Sequence, residues 1–302
     1  MSQIFISLFP LLALILGGYL LHHKKILADG FWSGAEKLNY YILFPAMLFS
    51  QLATANIDFA LVQSLMLVLG LVFGIACIAL YLIRALYHTP SARFGVYMQS
   101  VVRFNTYIAL AVVAALFQQP GMTILAICLA MSIPAVNIVS VVALTDPEQM
   151  SFIAIFKALI KNPLILSCLI GALFNASGLS LWVGLNHLLH QLAICSLPLG
   201  LLCVGAALQF DQFKAALWPL FINTFARLLI MPALAWLVCI YVFDVSLLVM
   251  QVVVIFFALP TASAAYILTK VLNGDSQLMA AVISLQTLCV AFTLPLVIWW
   301  VI

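Results

Sequence analysis

Two arginines stand where charge is costly. Arg103 lies about ten residues into an apolar run that begins near residue 94, hence about 15 Å deep at the helical rise of ~1.5 Å per residue. Arg227 has a similar depth in a run that begins near residue 217. Near the centre of a bilayer an arginine costs at least about 2.5–3.5 kcal/mol and is a functional candidate by default. No Asp or Glu is expected within a span, so the counter-charge of each arginine is a bound anion, helix carbonyl ends or water. The chemistry this suggests is recognition of an anion. The alternative for either residue is a structural arginine that caps the carbonyls of a broken helix.

The neighbours of Arg103 strengthen that reading. The chain runs Gln99-Ser100-Val101-Val102-Arg103-Phe104-Asn105-Thr106-Tyr107, a polar cluster inside an apolar run. A second interruption, Pro260-Thr261-Ala262-Ser263, frees backbone carbonyls because Pro260 has no N–H, and its small residues allow close approach. Asn105, Thr106, Thr261 and Ser263 can hydrogen-bond a carboxylate, or equally bond helix to helix. Asn137 follows Pro134 by three residues and shares its helical face, and Gln286 sits inside the last apolar run. The expected substrate site is therefore Arg103, Asn105, Thr106, Asn137, Arg227, Pro260, Thr261, Ser263 and Gln286.

Other chemistries find no support. His187 and His190 have helical metal-ligand spacing but no third ligand, and they fall at the end of a run, where an interfacial role suffices. The seven cysteines all lie in apolar runs without a CxxC pair and read as small hydrophobes. Gly70-x-x-x-Gly74 reads as close helix packing. No nucleophile–base pair, phosphate loop or haem ligand pair is present, so neither an enzyme, a metal nor a cofactor is expected. Without intramembrane carboxylates, cation exchange through an acidic residue is disfavoured.

The elements that hold these residues follow from composition. Of 302 residues, 67% are hydrophobic and 6% charged, against about 45–50% and about 25% in a soluble domain. A soluble enzyme, a disordered chain and a nucleic-acid binder are excluded, and membrane lipid is the expected surrounding. Runs long enough to cross a bilayer, roughly 20 residues each, fall at about 3–21, 35–53, 60–83, 94–117, 121–143, 158–176, 186–208, 217–242, 246–268 and 278–301. The first is read as a retained helix, because Lys24 and Lys25 follow it rather than precede it. Alternate loops carry Lys24, Lys25, Lys37, Arg84, Arg93, Lys157, Lys161, Lys214 and Lys270, and the others carry no Lys or Arg. By the positive-inside rule these loops are cytoplasmic and both termini are outside.

The chain also repeats. At an offset of 153 residues Pro10 meets Pro163, Gly18 meets Gly171, Pro45 meets Pro198 and Asp58 meets Asp211; further on, Asn105-Thr106 falls opposite Pro260-Thr261. Residues 1–150 and 151–302 then form two five-helix units, and the odd helix number inverts the second. The expected fold is an all-α membrane protein of ten transmembrane helices in two inverted repeats, an arrangement of many secondary transporters.

At the level of motifs, Lys161-Asn162-Pro163-Leu164-Ile165-Leu166 with Gly171, Val204-Gly205-Ala206-Ala207-Leu208, Leu259-Pro260-Thr261-Ala262-Ser263-Ala264 and Thr293-Leu294-Pro295-Leu296 are similar to those of the auxin efflux carrier family of membrane transport proteins. That resemblance covers almost the whole chain. It implies a scaffold of helices 1, 2, 6 and 7, and a transport part of helices 3–5 and 8–10 whose broken helices 4 and 9 cross at the substrate site. It matches the fourth-helix Asn to Asn105 and the ninth-helix Pro to Pro260. The sequence departs where many members have a Gly-rich stretch ending in Pro, and has Tyr107-Ile108-Ala109-Leu110-Ala111 instead. Segment 144–157 is short where plant carriers have a long loop, so the compact form resembles bacterial members, some of which move malonate or malate-like dicarboxylates. The expectation is a bacterial inner-membrane secondary transporter of a small organic anion; a homodimer is compatible with it. The alternative is a ligand-sensing or channel-like membrane protein that does not cycle.

Overall fold

The computed structural model describes residues 2–55, 58–145, 162–209 and 217–302, with no strand among them. Lys157, Lys161, Asp211, Lys214 and the junction of the two expected repeats lie outside the described residues. Among the described residues five helical stretches are long and apolar enough to cross a membrane by length and composition: Phe59–Tyr87, Ser91–Leu144, Val183–Ala206, Trp218–Tyr241 and Ser276–Val301. Leu8–His23, Pro163–Ala176 and Leu247–Phe257 are shorter apolar helices.

The helices in chain order are α1 (Ser2–His23), α2 (Asp29–Leu38), α3 (Phe44–Ala53), α4 (Phe59–Tyr87), α5 (Ser91–Val102), α6 (Thr106–Leu144), α7 (Pro163–Ala176), α8 (Val183–Ala206), α9 (Leu217–Phe225), α10 (Met231–Tyr241), α11 (Leu247–Phe257), α12 (Ala264–Val271) and α13 (Ser276–Val301). Their starts are set by side-chain caps. Asp58 accepts from the N–H of Ala60, Asn105 from Tyr107 and Ile108, Asn162 from Leu164 and Ile165, and Asp275 from Leu278. A π-helical turn, Asn39–Leu43, joins α2 to α3, and another, Ala226–Ile230, joins α9 to α10. Each is followed within two residues by a proline, Pro45 or Pro232. The proline ring would clash with the carbonyl four residues back, and the wider turn relieves that clash.

Both expected breaks are present. The fourth run is interrupted at residues 103–105, where Arg103 is extended (φ −76°, ψ 150°). The ninth is interrupted between Phe257 and Ala264. At Gln118 (φ 51°, ψ −145°) a kink divides α6 where the fourth and fifth expected runs meet.

Helices α1, α2, α3, α7 and α8 pack as one block, with α1 on α8 and α3 on α7 as its main contacts. Glycine makes the first contact possible. A Cβ on Gly18 would lie 2.0 Å from the carbonyl oxygen of Leu202, and one on Gly205 would lie 1.8 Å from that of Ile15. Buried Asn39 adds a polar clamp: its amide donates to the carbonyl of Ser196 at 2.9 Å and accepts from the Ser196 hydroxyl at 2.7 Å. The other helices pack around α5, α6, α11 and α13, and α6 also touches the first block. The sequence expectation fails at Glu36. The helix carrying the second run starts at Asp29, so Glu36 lies two turns inside it, and a carboxylate does enter the helical bundle.

Candidate functional site

The two breaks meet. Beyond the end of α5, the N–H of Asn105 donates to the carbonyl of Pro260 at 2.7 Å. Asn105 is 2% exposed, and its side-chain oxygen caps α6. Thr261 donates its N–H to the Gln286 side-chain oxygen at 2.8 Å and its hydroxyl to the carbonyl of Gln99 at 3.2 Å. The Gln286 amide in turn donates to the carbonyl of Ser100 at 3.1 Å. Gln286 of α13 and the Thr261 hydroxyl thus pair backbone groups that the breaks expose, as burial in an apolar surrounding demands.

Arg227 completes this pairing and is not a cavity residue. It is 0% exposed and stands in the π-helical turn before α10. Its guanidinium donates to the carbonyls of Leu259 at 2.6 Å, Val101 at 2.7 Å and Phe256 at 3.4 Å. The reason is local. Phe256 would normally accept from residue 260, but Pro260 has no N–H, and Val101 would accept from Asn105, whose N–H is turned to Pro260. The expected anion contact at Arg227 is replaced by a carbonyl cap. Pro260, Thr261 and Gln286 are likewise buried behind the cavity wall and do not line it.

Arg103 is placed differently. It is half-buried and lines a cavity of about 620 Å3, together with the expected residues Asn105, Thr106, Asn137 and Ser263. Its two terminal nitrogens donate to the side-chain oxygens of Gln99 and Asn137. Both acceptors are neutral, so they fix the plane of the guanidinium without cancelling its charge, and its remaining N–H groups have no acceptor among the described residues. Gln99 is itself held, donating to the Thr269 hydroxyl at 2.8 Å.

The rest of the wall was missed from sequence. Tyr40, Phe44 and Tyr107 face the cavity with Ile138, Leu164 and Ile267, making it largely apolar. Tyr107 packs over Gly200, where a Cβ would lie 2.3 Å from its ring, and its ring centroid is 5.3 Å from that of Phe44. Glu36 and Lys37 also line the cavity, Lys37 exposed and Glu36 half-buried. The signal was present: Glu36, Tyr40 and Phe44 recur every four residues and so share one helical face. Among the described residues no His/Cys/Asp/Glu group can hold a metal ion.

An all-helical chain with apolar spans, crossing breaks and a cavity centred on a half-buried arginine is built as a membrane transport protein. The family model described as "Membrane transport protein" matches residues 3–152 and 146–298. The chain belongs to that family, the auxin efflux carriers, and is a multi-pass membrane protein of a transporter rather than a catalytic family. No curated protein matches it.

Proposed function

We propose that the protein is a secondary transporter of a small organic anion that works by alternating access in the bacterial inner membrane. The observation that carries this is Arg103, an uncancelled cation held by two neutral amides in the wall of a cavity sized for a small molecule. A bound carboxylate is its natural partner, because arginine's fork matches that geometry. Asn105, Thr106, Asn137 and Ser263 supply polar contacts beside it.

The architecture behind this reading is ten membrane crossings in two inverted repeats. Two features support it: the reciprocal pairs α1–α8 and α3–α7, and the two crossing breaks. In this arrangement α1–α3, α7 and α8 serve as scaffold, and the remaining helices carry the site. Positive-inside orientation puts both termini in the periplasm. The cavity is then open to the cytoplasm, on the side of Lys37 and the start of α7.

Counterflow in proteoliposomes tests the proposal. Arg103→Gln is expected to abolish exchange of carboxylates while leaving the folded yield and melting temperature as in the wild type. Undiminished exchange by that variant refutes the assignment.

A further inference from the structure

The cavity holds a second charge that an anion alone leaves unused. Glu36 on α2 is half-buried in its wall, and it has neither an ion-pair nor a hydrogen-bond partner among the described residues. Lys37, the next residue, does not serve it, since adjacent residues point to different helical faces. Lys37 is exposed at the mouth, where water screens it. Arg103 lies across the cavity, in the block that holds the breaks, and makes no ion pair with Glu36 although both line one space. Tyr40 and Tyr107 line the same space as both charges. A simple dicarboxylate would place one end on Arg103 and leave the other facing a like charge. Half-buried charges of opposite sign, neither in an ion pair among the described residues, are complementary to a molecule that carries both signs.

We propose that the cargo is an amino carboxylate: its carboxylate is read by Arg103 and its ammonium group by Glu36, with an apolar body against Tyr40, Phe44 and Tyr107. This rests on the carboxylate reading of Arg103 and adds the ammonium group. It makes Glu36 a specificity-determining residue, contributed by the scaffold side of the cavity.

The test is binding to the purified full chain by calorimetry, with leucine, phenylalanine, alanine and aspartate each set against its des-amino acid. These are 4-methylpentanoate, 3-phenylpropionate, propionate and succinate. At least one amino acid is expected to bind about tenfold or more tighter than its des-amino acid, the value of one charge-assisted contact. Glu36→Gln is expected to erase that preference while leaving the des-amino acid bound as well or better. Arg103→Gln is expected to lose both. If none of the four amino acids outbinds its des-amino acid, or if Glu36→Gln preserves the preference, the inference is overturned. Des-amino acids binding to the wild type but not to Arg103→Gln would then leave the carboxylate reading standing. Binding indifferent to Arg103→Gln would remove both.

Discussion

Replacing Arg227 by methionine separates a structural arginine from a binding one. Methionine has comparable length and no donor, so the change removes the hydrogen bonds and little of the volume. The carbonyls of Leu259 and Val101 lose donors at 2.6 Å and 2.7 Å, and that of Phe256 loses a weaker one at 3.4 Å. Each buried carbonyl left unpaired costs about 1–3 kcal/mol, so the two short bonds together put the loss at roughly 4 kcal/mol. Relief from burying the guanidinium offsets part of this. A net loss of about 2–3 kcal/mol corresponds to a melting temperature lower by roughly 5 °C. The assay is thermal unfolding of the purified protein in detergent, run beside Arg103→Met. Arg103 gives its hydrogen bonds to side chains that line or flank a cavity, where water can replace it, so its variant is expected to melt within about 2 °C of the wild type. An Arg227→Met protein that melts like the wild type refutes the carbonyl-cap argument. So does an Arg103→Met protein that melts as low as Arg227→Met is expected to.

Three further outcomes follow from the same structure. Gly18→Ala places a Cβ against the Leu202 carbonyl and is expected to lower the folded yield in a size-exclusion profile, with a cost of about 1–3 kcal/mol or more; Gly17→Ala, whose nearest neighbour is 3.8 Å away, is expected to be near neutral by the same measure. Asn105→Asp keeps the cap of α6 and is expected to melt like the wild type, yet to lose carboxylate counterflow because it sets a carboxylate beside Arg103, whereas Asn105→Ala is expected to cost about 1 kcal/mol in stability. Asn39→Leu and Ser196→Ala, combined in a double-mutant cycle of melting temperatures, are expected to show coupling of about 1 kcal/mol or more.

The breaks were legible because each has a local cause. Pro260 removes a donor, and the run Arg103-Phe104-Asn105 puts a cap residue inside an apolar stretch. The role of Arg227 was only half legible. Pro260 announces an unpaired Phe256 carbonyl, but which donor reaches it depends on packing between α9–α10 and the breaks, and the same arginine reaches Val101 across 126 residues of chain. Glu36 was missed for a different reason. It falls at the very edge of the run expected at 35–53 and was counted with the loop that carries Lys37, whereas α2 begins at Asp29 and places it two turns inside the helix. The cavity wall on α2 shows in the four-residue recurrence of Glu36, Tyr40 and Phe44, whereas the seat of Tyr107 over Gly200 joins residues with no local pattern to connect them.

The bond between the N–H of Asn105 and the carbonyl of Pro260 is made entirely by main-chain atoms. The side chains of the cavity wall can therefore be exchanged without removing that bond, which Arg227, Thr261 and Gln286 support from behind. At position 105 a proline would remove the donor. Other residues there, and all residues at Thr106, Asn137, Ser263 and Glu36, leave that bond available. A lineage of such proteins can thus drift from one cargo to another through substitutions in the cavity wall while the crossing is inherited unchanged. Designed variants with altered cargo can draw on the same separation.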